Sequence, residues 1–262
     1  LISWGCRRST PQGRAANRCF DLDLFVGFMM SKEASNMNQH TSDLHWIRSP
    51  RQARTHESLE RLLDVAESML HDKDFDDIHV NEIARRAETS VAGFYRRFQD
   101  KDSLLHALHE RRCEEAFATA DDALCLERWN GASIAEILFA VFPFLVEILH
   151  SNEGLDRAIY QRAITNEPMR ERSMKISRHV INGLSDLIFE RQDEVNHPDP
   201  NTAVPFAVIQ TMALVVQIYT AGIRDIFPTP MSDDKVAHEL ATSCLAYLGT
   251  SNPYAPFGGD RP

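Results

Sequence analysis

The stretch from Ile78 to Leu105, IHVNEIARRAETSVAGFYRRFQDKDSLL, constrains this chain more than any other, because it encodes two short amphipathic helices joined by a tight turn, with a third following directly. The first helix places Val80, Ile83, Ala84 and Ala87 at i, i+3, i+4 and i+7, a narrow apolar stripe, while Glu82, Arg85 and Arg86 face away from it. Ser90 supplies an N-cap oxygen for the second, whose Phe94 and Phe98 lie one turn apart on the inner face. Val91, Ala92 and Gly93 open that helix with small side chains, which would let a partner approach the backbone closely. A glycine inside a helix costs about 1 kcal/mol relative to alanine, and no neighbour in sequence offsets it, so Gly93 points to contact. Asp100 can cap the third helix, leaving Lys101 beside free backbone N–H groups, a combination that suits a phosphate. Such a helix pair presents its second member to the DNA major groove.

The register of Ile83-Ala84, Ala87, Tyr95-Arg96-Arg97-Phe98, Lys101 and Leu104 resembles that of the tetracycline-repressor (TetR) type regulators of bacteria, over Thr55 to about Glu114. The resemblance implies an all-α chain: a three-helix helix-turn-helix domain, then a helical ligand-binding and dimerisation domain. On the matching residues it implies close groove contact by Ser90, Val91, Ala92 and Gly93, with Val91 against a thymine methyl, and phosphate contact by Tyr95, Arg96, Arg97 and Lys101. Val80 and Thr89 complete the expected DNA-binding set. Two positions depart from the family pattern. Glu88 stands where the turn usually has glycine, and His79 stands at the usual threonine cap, with Glu82 placed to reach back to it.

The preceding segment carries Leu59, Leu62, Leu63, Ala66, Met69 and Leu70, an apolar stripe over four turns, with Thr55 as its expected cap and Glu57 near its N-terminal dipole end. His71 to Asp77 reads as a solvated loop pinned by Phe75. The net charge of −10 runs against DNA binding until its distribution is considered. Residues 1–54 hold eight Lys/Arg against four Asp/Glu (8 − 4 = +4), and residues 85–101 hold five against two (5 − 2 = +3). Acid elsewhere is screened beyond about 8 Å at physiological salt, so the local potential governs.

Cys6, Cys19, Cys113, Cys125 and Cys244 show no CxxC spacing, which argues for a reducing compartment and against a disulfide framework or zinc ribbon. His106, His109 and Cys113 share one helix face at i, i+3 and i+7, but with Leu104, Leu105 and Leu108 on the same helix the expected reading is a solvated or half-buried face. No metal and no cofactor is assigned. Residues 1–51 read as a disordered leader ending in a basic arm, Arg48, Arg51 and Arg54, suited either to phosphates and the minor groove or to a solvated linker. Asp21 and Asp23 interrupt the apolar patch Leu24 to Met30, against an export signal. The expected organisation is therefore this leader, a DNA-binding domain over 52–114 with its motif at about 79–98, a helical domain over 115–250, and a flexible tail over 251–262.

Beyond Glu114, helical periodicity runs through Ser133 to His150, Leu155 to Thr165, Pro168 to Glu194, Thr202 to Phe227 and Asp233 to Leu248. Val204 to Ile223 is apolar almost all round and needs cover on both sides. Gln210, Thr211, Gln217 and Thr220 argue against a membrane span, leaving a helix packed on its own core and on a partner. The last helix supplies a second stripe, Val236, Leu240, Ala241, Cys244, Tyr247 and Leu248, so the pair and its symmetry mate would make a four-helix dimer interface. A small, apolar effector is implied by the resemblance, with Phe142, Tyr160, Gln161, His179, Gln210 and Gln217 as candidate ligand residues.

These features define a non-enzymatic, cytoplasmic, ligand-responsive regulator, a repressor by the family's usual behaviour, that grips palindromic operator DNA as a homodimer. The third helix of the motif, running from Asp102 to about Leu126, would link head and body. The competing reading is a helical adaptor or enzyme that keeps the motif as scaffold, although no GxSxG, HExxH or phosphate loop is present.

Overall fold

The computed structural model describes residues 53–254, with side chains from His56 onward. The expected leader, Arg48 and Arg51, the side chains of Arg54 and Thr55, and residues 255–262 of the expected tail lie outside the described residues. Nine α-helices follow one another among the described residues: α1 (Ala53–Leu70), α2 (Val80–Arg86), α3 (Val91–Tyr95), α4 (Lys101–Ala123), α5 (Ile134–Ser151), α6 (Glu153–Ala163), α7 (Glu167–Phe189), α8 (Pro200–Thr220) and α9 (Asp233–Leu248). Helix α1 starts two residues before Thr55, which therefore does not cap it.

The head closes as its apolar periodicity predicts. Leu59, Leu62, Phe94, Phe98, Leu104 and Ile83 are completely buried, and Phe75 pins the loop between α1 and α2. Asp100 caps α4 through Ser103 N–H at 2.7 Å. Arg111 on α4 reaches three carboxylates of α1, Asp64 at 2.6 Å, Glu60 at 3.4 Å, and Glu67. The core of the head does not follow chain order, however. Leu155, Ala158 and Ile159 of α6, and Met169 at the start of α7, are buried in it. Burying a leucine or isoleucine contributes about 1.5–3 kcal/mol, so α6 is fastened to the head rather than hung beside it. Gly154 makes this possible, since a Cβ built there would lie 1.9 Å from the carbonyl oxygen of Leu70, the last residue of α1.

The second core joins α5, the C-terminal half of α7, α8 and α9. A capping box starts α5: Ser133 Oγ accepts from Glu136 N–H at 3.3 Å, and Glu136 accepts from Ser133 N–H at 2.8 Å. By length and composition α5 and α8 could each cross a membrane, but about half of each is covered by the rest of the protein. Proline occupies the first position of α8 as Pro200, with Asp199 as cap, so Pro205 lies deeper in the helix than its expected place near the start. Helix α8 ends at Thr220, short of the helical limit expected at Phe227, and Gly222 follows with φ +70°.

The seam between α4 and α7 corrects one expectation. His106, His109 and Cys113 are buried rather than solvated, because this face of α4 is covered by α7. His106 Nε2 meets Asn166 Nδ2 at 3.1 Å. His109 lies between Arg172 at 3.3 Å and Ser173 Oγ at 3.1 Å. Burial, then the charges of Arg172, His106 and Arg112, push the His109 pKa down to about 3, so the ring is neutral in the folded protein. Glu110 lies 3.9 Å from Arg172 on this seam. Burial likewise pushes the Cys113 thiol up to about 11 and the Cys244 thiol up to about 12, which makes both poor nucleophiles.

Two outcomes are expected. Gly154→Ala should lower the urea midpoint by the equivalent of about 1–3 kcal/mol. Alanine in an open helix position would raise it, by about 1 kcal/mol, so an increase would disprove the close approach. An unfolded histidine protonates near pH 6.5 and folded His109 only near 3, so protons favour the unfolded chain as pH falls through that window. Urea midpoints should drop between pH 7 and pH 5, and His109→Asn should flatten part of that drop.

Candidate nucleic-acid interface

Helix α2 is short because its apolar stripe is short: Ile83, Ala84 and Ala87 are buried and Val80 is half-buried against the same core. His79 makes no side-chain cap. Glu82 does not reach back to it, because two cations hold the carboxylate instead, Lys73 at 2.8 Å and Arg86 at 2.9 Å. The Lys73 hydrogen bond is the first cause that lowers the Glu82 pKa.

The turn runs through Glu88, whose φ of +54° is the one positive value on a non-glycine residue among the described residues. That conformation costs an L-residue about 1–2 kcal/mol and is normally given to glycine. Thr89 N–H then bonds the carbonyl of Ala84 at 2.9 Å, closing the α2 terminus. Ser90 caps α3 as expected, its Oγ accepting from Gly93 N–H at 2.9 Å.

Helix α3 has five residues, and Phe98 follows it in a turn, its ring 5.2 Å from that of Phe94. Val91, Ala92, Tyr95 and Arg96 are exposed on one face, with Tyr95 47% accessible and its ring edge set on Phe94. Ser90 and Arg85 are exposed nearby, and Thr89 is half-buried. Arg97 is half-buried, and burial followed by the adjacent Arg96 charge lowers its pKa. Arg85, Arg96 and Arg97 make no ion pair with any described residue, whereas Arg86 is engaged by Glu82.

Two of the residues expected to touch DNA are placed otherwise. Gly93 is buried, not presented: a Cβ there would sit 2.4 Å from Thr89 Oγ1 and 3.3 Å from Ser90 Oγ. Its helical cost is thus offset inside the turn, by a tight fit that sequence spacing did not disclose. Lys101 turns back from α4 and gives its ammonium to three carbonyls, of Phe75 at 2.8 Å, Asp76 at 3.1 Å and Ile78 at 3.1 Å. It also stands 4.6 Å from the centre of the Phe75 ring. Three carbonyls match the three donors of an ammonium, so here Lys101 holds the loop before α2 and has no donor left for a phosphate.

The six candidate ligand residues do not converge. Phe142 is completely buried in the body core, and Gln161 is exposed on α6. His179 pairs with Asp121 at 2.7 Å, and its ring packs beside Phe117. Gln210 lies on the outer face of α8. Only Tyr160 and Gln217 meet, with Gln217 Nε2 donating to the Tyr160 hydroxyl at 3.0 Å between α6 and α8. A surface groove of about 260 Å³ runs along α7, lined by Glu167, Arg170, Glu171, Met174, Lys175 and Arg178.

The expected dimer stripe of α9 is also redirected. Val236, Leu240, Ala241, Cys244 and Leu248 are buried within the chain, because α9 covers α5. What remains exposed is Phe206 (51%), Ile209 (50%), Gln210, Ala213 and Leu214 (44%) on α8, with Ser243, Ala246 and Tyr247 on α9.

Comparison with known proteins agrees with this architecture. Residues 62–108 match the family of bacterial regulatory proteins known as tetR. No curated protein sequence matches the chain. Among solved structures, a protein of Mesorhizobium loti MAFF303099 assigned as a tetR-family transcriptional regulator superposes with a TM-score of 0.58 at 15% identity, covering 76% of this chain and 98% of its own. A tetR-family regulatory protein from Rhodococcus RHA1 gives 0.56 at 16%, covering 74% and 98%. The TetR-family regulator PfmR from Thermus thermophilus gives 0.54 at 17%, covering 71% and 97%. At such identities the likeness is one of fold.

Glu88→Gly should raise the urea midpoint by the equivalent of up to about 1 kcal/mol, the strain relieved exceeding the entropy glycine adds to the unfolded chain. A lower midpoint would disprove strain at the turn. Lys101→Ala should destabilise the head by about 1–3 kcal/mol and leave the salt dependence of duplex binding unchanged. A slope reduced by about one charge would restore Lys101 as a phosphate contact.

Proposed function

Since residues 62–108 belong to the tetR family of bacterial regulatory proteins, with its helical fold continuing beyond them, we propose that this chain is a ligand-responsive transcriptional repressor that binds palindromic operator DNA as a homodimer. The observation that carries the reading is the outer face of α3. Val91, Ala92 and Tyr95 form a small apolar surface that can meet base edges, and Arg85, Arg96 and Arg97 flank it with cations not neutralised by described acids. Phosphates fix position and base edges fix sequence, and this face offers groups for both. Val80 and Thr89, half-buried at the rims of α2 and the turn, act as supports.

One head grips weakly, and a twofold pair gains affinity by linkage. The outer face of α8, with Phe206, Ile209 and Leu214, supports pairing because these large apolar groups would otherwise stay in water. Ala213, Ser243 and Ala246 beside them are small enough for helices of two protomers to approach. Two heads at about 34–36 Å, or a multiple, would match successive major grooves. A small apolar effector favouring another spacing would release the DNA, and the Tyr160–Gln217 contact between α6 and α8 is our candidate position for it. The work of such a protein is cytoplasmic and non-enzymatic.

Two measurements test this. Fluorescence anisotropy with duplexes from the chain's own upstream region should show binding that weakens linearly in log salt, and Arg96→Ala should reduce the slope by about one phosphate. Absence of any duplex binding at low salt would remove the regulator reading. Leu214→Asp should shift the sedimentation of a dimer to that of a monomer and weaken duplex binding at least about tenfold; an unchanged dimer would place the interface elsewhere.

A further inference from the structure

Around Phe75 two helices, α4 and α6, converge on one loop. Lys101, the first residue of α4, holds the carbonyls of residues 75, 76 and 78 and stands over the Phe75 ring. From the far end of α6, Arg162 approaches the same ring at 5.6 Å, so the aromatic side chain lies near two cations. Arg162 also donates to Asp76 at 2.5 Å and to Asp102 at 3.3 Å, bridging the loop and the first turn of α4. One turn earlier on α6, Arg157 reaches Asp74 at 3.5 Å.

The location gives these contacts their meaning. Residues 75–78 lead directly into α2, so a shift of this loop tilts α2 and α3 together. Helix α6 is buried in the head by Leu155, Ala158 and Ile159, and at Gly154 it abuts the end of α1. Arg162 is therefore the group at which the C-terminal end of α6 sets the position of the loop. Its partners Asp76 and Asp102 are largely exposed, so little of the fold's stability rests on these ion pairs.

We propose that Arg162 is a positioning residue for operator recognition: by bridging Asp76 and Asp102 over the Phe75 ring, it sets the tilt of α2 and α3 and thereby the half-site spacing that the dimer reads. The inference rests on the proposed operator-binding function. Arg162 touches no DNA in this scheme. Lysine in its place would keep the charge but could not bridge two carboxylates in a fixed plane.

The test uses duplexes selected by the wild-type full chain from a random-sequence library, rebuilt with the centre between half-sites shortened or lengthened by one or two base pairs. Arg162→Gln should change the preferred spacer, or flatten the preference at least about threefold, with the thermal midpoint kept. Asp76→Asn and Asp102→Asn alter only exposed carboxylates and should shift the preference in the same direction, which keeps the test decisive if Arg162→Gln folds poorly. Arg162→Lys should restore part of the wild-type preference. Arg96→Ala, a direct contact, should weaken binding by one factor on every spacer. If Arg162→Gln and the two aspartate variants also act uniformly across spacers, or change nothing, the proposal is overturned. A wild-type chain that selects no duplex overturns the proposed function and this inference with it.

Discussion

Leu155, Ala158 and Ile159 bury their side chains in the core of the helix-turn-helix, not in that of the helices that follow them in the chain. Much of the arrangement depends on this. Because α6 is packed into the head, the carbonyl end of α1 must run against its first turn, and Gly154 is the residue that leaves room. Because α6 also meets α8 through Tyr160 and Gln217, one helix touches both cores. The continuous α4, expected to link head and body, is then one of two connections. Its seam with α7 is lined by polar groups, with the neutral rings of His106 and His109 among them.

Electrostatics in the head is settled by competition. Five cations fall between residues 85 and 101, but they do not share one role. Lys101 is consumed by carbonyls and Arg86 by Glu82, which leaves Arg85, Arg96 and Arg97 around the exposed face of α3. Glu82 itself is drawn to Lys73 and Arg86 in preference to the orphan N–H of a helix cap. For Glu82 the charged partners within about 3 Å outcompete a neutral one, because charge-assisted hydrogen bonds are roughly twice as strong.

In the body, the demand for cover sorts the apolar residues. Helix α5 is so apolar that α9 turns most of its stripe inward to shield it, leaving Ser243, Ala246 and Tyr247 outside. Helix α8 has more apolar surface than the described residues bury, and Phe206, Ile209 and Leu214 remain exposed among them. The same sorting separates the aromatic and amide residues grouped as ligand candidates, since each is claimed by its own helix face.

Periodicity and local capping were enough to read the all-α class, the buried stripes of α1 and α2, the Ser90 and Asp100 caps, and α9 to its terminal residues. These depend on residues within one or two turns of each other, and local hydrogen bonds and apolar spacing are written directly in the order of side chains. The positive φ at Glu88 was suggested only by the resemblance, which has glycine at that position, and the folded turn keeps it on a glutamate. What Lys101, Gly93, Gln210 and the α9 stripe do was decided only by the tertiary structure. Each role depends on which neighbour the folded chain brings up, and one face of a helix can be covered by its own core or left for a partner with the same sequence pattern. Burial of α6 in the head is the clearest case, because its short stripe fits either core and only the competition between them assigns it.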